Sequence, residues 1–290
     1  MLSPFEAHAI CAGLTISDYL ARAWRIQLLN RGLQYHLAFR DAMAVNLIGD
    51  AACSLTPLRI AGEPVRLGVM LSAGVPPTAA FVAITYEVLA AWPVIIVSAA
   101  FLLRRHAREW WEGAGPGLLS AMREAWPWVL AVAFLTVLIW LWVRRRVPSA
   151  GHHLGRPVKR MIVHWRRMPW TLLLATAPLT FINLAARVAI LPVLASTLPN
   201  APPLSLLLIG SFALVYSQLV LPTPSGAGAV ELGFLGGAAG NLGSSETSLL
   251  FAWRFYTTFV GVILGVVAGL HRFGWRAIRA WIVSDVRREK

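Results

Sequence analysis

The sequence predicts an all-α fold: a polytopic membrane helix bundle with two inverted repeats, each containing a re-entrant broken-helix hairpin. Three observations lead there. Of 290 residues, 57% are apolar and only 13% charged, about half the fraction usual in a soluble domain. Several nearly uncharged windows reach about 18 residues or more, enough to cross a bilayer as helix, and they run continuously, which favours helices over a barrel. Two other apolar segments are interrupted at their centres by proline and glycine.

In chain order, complete spans are expected at 5–27, 78–103, 126–143, 169–198 and 247–270, and broken segments at 33–75 and 204–243. The connection 144–168 holds Arg144, Arg145, Arg146, Arg156, Lys159, Arg160, Arg166 and Arg167 and no acid, which places it in the cytoplasm by the positive-inside rule. The basic tail 271–290 belongs on the same side. Segment 104–125 balances four arginines against Glu109, Glu112 and Glu124 and is placed outside. Tryptophans mark both boundaries: Trp110, Trp111, Trp126 and Trp128 on one side, Trp140, Trp142, Trp165 and Trp170 on the other. Segment 104–125 and the tail read as interfacial amphipathic helices.

That sidedness decides the broken segments. The chain leaves the cytoplasm through 169–198 and re-enters through 247–270, so 204–243 starts and ends outside, as a re-entrant hairpin. The same counting makes 33–75 a hairpin entered from the cytoplasm. The two segments also resemble each other. "LTPLRIAGEPVRLGVMLSAG" (55–74) and "PTPSGAGAVELGFLGGAAG" (222–240) share Thr-Pro, glycine, glutamate and a run of small residues. Pro57 and Pro224 are 167 apart, Glu63 and Glu231 168, Glu87 and Arg254 167, while the pair Asp18/Arg22 returns as Asn183/Arg187 at an offset of 165. The 290 residues then form a single transmembrane domain, with a first repeat over 5–103 and a second over 169–270. The linker 104–168 carries span 126–143 and the basic loop. Paired discontinuous helices in inverted repeats mark transporters.

Broken backbone cannot face lipid, so such breaks line a polar cavity. Pro57, Gly62 and Pro64 in the first hairpin and Pro222 and Pro224 in the second are the expected break residues. The restarted half-helices would turn their positive ends toward the bilayer centre, where an anion is favoured. An ionised side chain there costs roughly 2.5–3.5 kcal/mol on insertion scales and needs a partner or a task. The expected substrate-binding residues are Arg59, Glu63, Arg66, Glu87, Arg187, Ser225, Gly226, Gly228, Glu231 and Arg254. Two accounts of them stay open. In one, Glu63 and Glu231 cap half-helices and Arg66 and Arg254 are their buried partners. In the other, Arg59, Arg66 and Arg254 hold an anionic headgroup while Glu63, Glu87 and Glu231 orient them or exchange protons.

Formal net charge is +13, and 24 of the 26 basic residues are arginine. They cluster beside apolar spans, where they can touch anionic lipid. No soluble stretch is long enough to build a nucleic-acid face. Cys11 and Cys53 sit in apolar surroundings and read as packing residues. His152 and His153 lack Cys or acid nearby, and no catalytic residue, metal site or cofactor is expected. The first residues, "MLSPFEAHAI", lack the basic region and cleavage site of a signal peptide.

The residues of the repeat also resemble a known family, the lysylphosphatidylglycerol synthase transmembrane, flippase-like family. "LTPLRIAGEPVRLGVMLSAGVPPTAAFVAITYEVL", "LPTPSGAGAVELGFL" and "FAWRFYTTFVGVILG" are similar to its three motifs, over roughly 15–270. The match singles out Pro57, Arg59, Gly62, Glu63, Arg66 and Glu87, then Pro222, Pro224, Gly226, Gly228, Glu231 and Arg254. Ser225 stands where the family tends to have glycine. The chain opens almost directly in what is usually the family's second helix, and no stretch resembles the soluble aminoacyl-transferase domain of the synthases.

The resemblance implies a multi-pass inner-membrane protein, C-terminus cytoplasmic, that moves an anionic or aminoacylated phospholipid, or a polyprenyl-phosphate-linked lipid, between leaflets. Its partners would be membrane lipids, with a homodimer allowed. Two other readings compete. One is a lipid headgroup transferase, which would need a nucleophile or metal constellation. The other is a non-transporting partner of a separate lipid synthase or glycosyltransferase.

Overall fold

In a computed structural model describing residues 2–56, 59–105, 108, 112, 155–218, 224–235 and 245–288, every regular element among the described residues is helical. α1 (Pro4–Gly32) opens on a capping box: the Glu6 N–H donates to Ser3 Oγ at 3.3 Å, and the Ser3 N–H donates to Glu6 Oε2 at 2.8 Å. Pro4 stands at the first turn, where its missing N–H costs nothing. α2 (Phe39–Leu55) and α3 (Gly62–Ser72) follow, then α4 (Pro77–Arg105). The second half comprises α5 (Gly155–Arg167), α6 (Thr171–Ala195), α7 (Leu204–Ser217) and the one-turn 3-10 helix Pro224–Gly226. α8 (Ala229–Leu235) and α9 (Glu246–Arg254) come next. A five-residue π-turn, Phe255–Phe259, leads into α10 (Val260–Arg288), which bends at Gly274 (φ +70°).

Among the described residues, three helical stretches are long and apolar enough to cross a membrane: α4, α6 and the run Glu246–Gly274. They correspond to the expected spans at 78–103, 169–198 and 247–270. The expected span 126–143 lies outside the described residues, as do Pro57 and Pro222. α1, expected as a span at 5–27, is not among the three. It is 29 residues long, but Asp18, Arg22 and Arg25 interrupt its apolar run, and their charges turn toward neighbouring helices. Some of the basic connection 144–168 is helical as α5, docked on α4 by the rings of Tyr86 and Trp165 at 4.5 Å.

Near both expected breaks, described residues adopt non-helical backbone. The chain leaves helix at Leu55 and resumes at Gly62, with Arg59 at φ +57°. α7 ends at Ser217 and α8 begins at Ala229; of the described residues between them, Ser225, Gly226 and Gly228 have φ +51°, +68° and +85°. Pro64 is the third residue of α3, where proline needs no donor.

Two apolar cores hold these elements. Ile26, Leu29, Val45, Met70 and Val82 gather α1–α4, and Leu191, Leu207, Leu214, Phe234 and Trp253 gather α6–α9. α1 serves both, because Cys11 belongs to the second core and Ile26 to the first. α1 packs along α6, α10 crosses α2, and the turn at Pro224–Gly226 rests on α2. Where α10 meets α2, a Cβ on Gly265 would lie 2.1 Å from the Leu47 carbonyl oxygen. Only glycine permits that approach. Farther along, Arg272 ties α10 to Asp41 at the start of α2 and to Ser72 Oγ of α3 at 2.9 Å.

Candidate functional site

Asp18, Arg22 and Arg25 fall at i, i+4 and i+7 on α1 and therefore share a face. Together they reach α2, α4 and α6. Arg22 grips Asp50 of α2 with both terminal nitrogens, Nη2 donating to Oδ1 at 2.7 Å. Asp18 accepts from the Asn183 amide and from Arg187 Nε at 2.9 Å, both on α6, and Arg187 Nη2 also lies 3.5 Å from Asp50. Arg25 donates to Glu87 of α4, Nη2 at 2.6 Å and Nε at 3.2 Å, and to Thr180 Oγ1 of α6 at 3.1 Å.

Arg66 of α3 completes the network. Its Nη2 donates to the other Glu87 oxygen and, at 3.4 Å, to Asn46 Oδ1 of α2; its Nη1 donates to Glu63 at 3.3 Å. Gly49 makes the room for it, since a Cβ there would stand 2.3 Å from Arg66 Cγ. Glu87 thus holds two arginines at once. The two glutamates differ sharply: the Glu87 side chain is 4% exposed and that of Glu63 53%. Glu87 is a buried counter-ion, while Glu63 sits at the rim.

Five arginines (22, 25, 59, 66 and 187) and four carboxylates (18, 50, 63 and 87) lie in or beside this network. Four of the arginines are paired with them. The fifth, Arg59, makes no side-chain hydrogen bond or ion pair among the described residues, although it lies close enough to Asp50 to feel its charge. Its carbonyl receives the Cys53 thiol at 3.8 Å, and its left-handed backbone costs of order 1–3 kcal/mol for a residue with a side chain. The network's surplus positive charge therefore stands on a strained residue at the break.

The second break carries a separate pair. Arg254 Nε and Nη2 lie 2.7 and 2.6 Å from Glu231 Oε1, and its Nη1 donates to the Ser225 carbonyl at 3.0 Å. Glu231 Oε2 in turn accepts the Gly228 N–H at 2.7 Å. Glu231 is therefore both a backbone cap and an ion-pair partner. The Arg254 guanidinium carbon lies 5.5 Å from the ring of Trp253, which is fully buried against Phe234. Ser225 carries two burdens: a left-handed backbone, and a buried hydroxyl without a hydrogen-bond partner among the described residues. Ser225→Gly removes both, so a gain of about 1 kcal/mol in thermal stability in detergent is expected. An unchanged or lower melting temperature would contradict this account.

The structure brings Glu63, Arg66 and Glu87 into direct contact and places Arg187 in the adjoining Asp18–Asp50 cluster. Ser225, Gly226, Gly228, Glu231 and Arg254 gather at the other break. No hydrogen bond or ion pair joins the two groups among the described residues, though the Pro224–Gly226 turn rests on α2, the helix of Asp50. Sequence reasoning did not assign Arg22, Arg25, Asn46, Asp50 or Thr180 to the site, and used Asp18 and Asn183 only as repeat markers. A signal existed for the charged ones: an ionisable side chain inside an apolar run is itself a functional flag.

Helices long and apolar enough to cross a membrane, together with a buried ionic network, mark a helical membrane protein. The chain belongs to the family described as the lysylphosphatidylglycerol synthase TM region, whose characteristic sequence pattern matches residues 4–265. No curated protein and no solved structure matches it significantly.

Proposed function

We propose that the protein is a transporter rather than an enzyme, moving an anionic or aminoacylated phospholipid between leaflets of the inner membrane. Arg59 carries this reading: a half-buried residue with a left-handed backbone, whose guanidinium has no hydrogen bond or ion pair among the described residues, at a helix break beside a network whose other charges are matched. A phosphate is the natural complement to such a cation. Glu63, at the rim beside Arg66, would orient the approaching headgroup, with Glu231 and Arg254 serving the second break.

In this reading 33–75 and 204–243 are re-entrant hairpins of two inverted repeats, 5–103 and 169–270, that rock about the central breaks. The contact of Asp18 with Asn183 supports it, because these are equivalent positions at an offset of 165. Equivalent residues touch each other where a pseudo-two-fold axis passes between them. A separate lipid synthase would supply the cargo.

The test is movement of labelled phosphatidylglycerol between leaflets of vesicles holding the purified protein. Arg59→Gly relieves the backbone strain and so keeps the fold, but removes the charge. A charge-assisted contact is worth about 1.5–3 kcal/mol, so the rate should fall by roughly tenfold or more. Arg59→Gly protein that is stable and moves the anionic lipid at the original rate removes Arg59 from the mechanism. No movement by the unaltered protein, under conditions where it stays folded, refutes the transport reading itself.

A further inference from the structure

The run from Glu246 to Gly274 is helical throughout, the π-turn included. Near its start, Arg254 holds the second break through Glu231 Oε1 at 2.7 Å and the Ser225 carbonyl at 3.0 Å. Near its end, Arg272 reaches both ends of the α2–α3 pair at once. It pairs with Asp41 in the first turn of α2, and its Nε donates at 2.9 Å to the hydroxyl of Ser72, the last residue of α3. Ser72 gives its own hydroxyl hydrogen to the Val69 carbonyl at 2.7 Å, which leaves the oxygen free to accept from Arg272.

Between these two grips, Gly261, Gly265 and Arg272 meet Asp50, Leu47 and Asp41 in turn, so α10 runs antiparallel to α2. The approach is tightest at Gly265, where a Cβ would lie 2.1 Å from the Leu47 carbonyl oxygen and 2.7 Å from Ala51 Cβ. One turn on, a Cβ at Gly269 would have only Ile48 Cγ2 for a neighbour, at 4.0 Å. The helices therefore diverge beyond Gly265, and the long Arg272 side chain bridges the widening gap. The two contacts differ in kind. Backbone against backbone at Gly265 cannot yield. The Arg272 and Asp41 side chains are 21% and 27% exposed, and ion pairs exposed to this degree are individually weak. The latch can open where the crossing cannot.

We propose that α10 is a lever pivoting on the Gly265–Leu47 contact, through which the Arg272 latch and the Arg254 pair control each other. Its arms, from Gly265 to Arg272 and back to Arg254, are roughly 10 and 16 Å long at about 1.5 Å per residue. Release of Arg272 lets the short arm swing away from α2 and α3, and the fixed fulcrum turns that swing into an opposite movement of Arg254 against Glu231 and Ser225. Movement that starts at the second break returns along the same rod to the latch. Linkage makes the effect reciprocal, and the rod is the physical element that both ends bias. The device goes beyond the lipid movement proposed above and does not depend on it, since it is read in protein that has no cargo to move.

Hydrogen exchange of the full-length protein in phosphatidylcholine nanodiscs, read by mass spectrometry, tests the lever. Asp41→Asn unfastens the latch without touching the second break. Exchange should quicken over 39–47 and 66–74 and also, by roughly fivefold or more, over 225–235 and 246–254, the lower bound of a typical coupling between sites. Glu231→Gln, which frees Arg254, should in return quicken 39–47 and 66–74 by the same factor. Peptides covering 184–191, in the core of α6, report whether the fold holds. Should Asp41→Asn loosen them as well, Ser72→Ala, which removes a single neutral hydrogen bond, carries the same pattern at smaller amplitude. A response confined to the mutated end, in the latch variant or in Glu231→Gln, overturns the proposal. So does faster exchange over 225–235 with 246–254 unchanged, because the link would then run through the Pro224–Gly226 turn on α2 and not through α10.

Discussion

Glu87→Ala is expected to cost about 3–5 kcal/mol, the penalty for leaving a buried charge without its partner. Two guanidiniums depend on that carboxylate: Arg25 and Arg66, whose side chains are 8% and 9% exposed. Arg25 would keep only the Thr180 hydroxyl, and Arg66 only Asn46 and the rim carboxylate of Glu63. The loss should appear as a large drop in melting temperature of the detergent-solubilised protein and in the folded fraction on size exclusion. Glu87→Gln tests the cause. It preserves shape but neutralises the carboxylate, so it should recover little. Replacing Arg25, Arg66 and Glu87 together by methionine removes the charges as a set and should restore most of the stability, as buried ion pairs exchanged for apolar residues generally do. If Glu87→Ala melts with the parent protein, the network is not holding α1, α3 and α4 together.

The second large effect is expected at Gly265, where α10 crosses α2. An added Cβ would meet the Leu47 carbonyl oxygen at 2.1 Å and Ala51 Cβ at 2.7 Å, and neither belongs to the free end of a flexible side chain. Backbone must move. Overpacking typically costs about 1–3 kcal/mol, and Gly265→Leu, which must force the helices apart, should lie at or above the top of that range. Between helices in lipid, close backbone contact is itself a main source of attraction, so the variant loses what holds the crossing together. Gly68→Ala supplies the control. Nothing lies within 4 Å of a Cβ at Gly68, and an alanine in mid-helix should be neutral or stabilising by roughly 0.5–1 kcal/mol. Equal melting temperatures for the two variants would mean that the crossing is looser than the structure has it.

Much of this molecule is local and could be read along the chain. Continuous apolar runs give α4, α6 and Glu246–Gly274 because a span is set by length and hydropathy alone. Pro64 in the first turn of α3, and the Gly226 and Gly228 conformations beyond α7, follow from backbone rules that involve no distant residue. The pairing of Glu231 with Arg254 and of Glu63 with Arg66 was within reach too, since each glutamate sits beside a break and each arginine lies on the same helix or a nearby one.

What the chain could not announce is which charge answers which. Glu63 and Glu87 look alike in sequence, yet one lies at the rim and the other binds two arginines in the interior. Arg25 meets Glu87 across 62 residues and Thr180 across 155. Arg22 meets Asp50, and of the five arginines around that network Arg59 alone has no hydrogen bond or ion pair among the described residues. The reason is geometric. Hydropathy and backbone propensity act within a few residues, whereas a partner is chosen by how helices far apart in sequence rotate and cross. That choice fixes where the surplus positive charge resides.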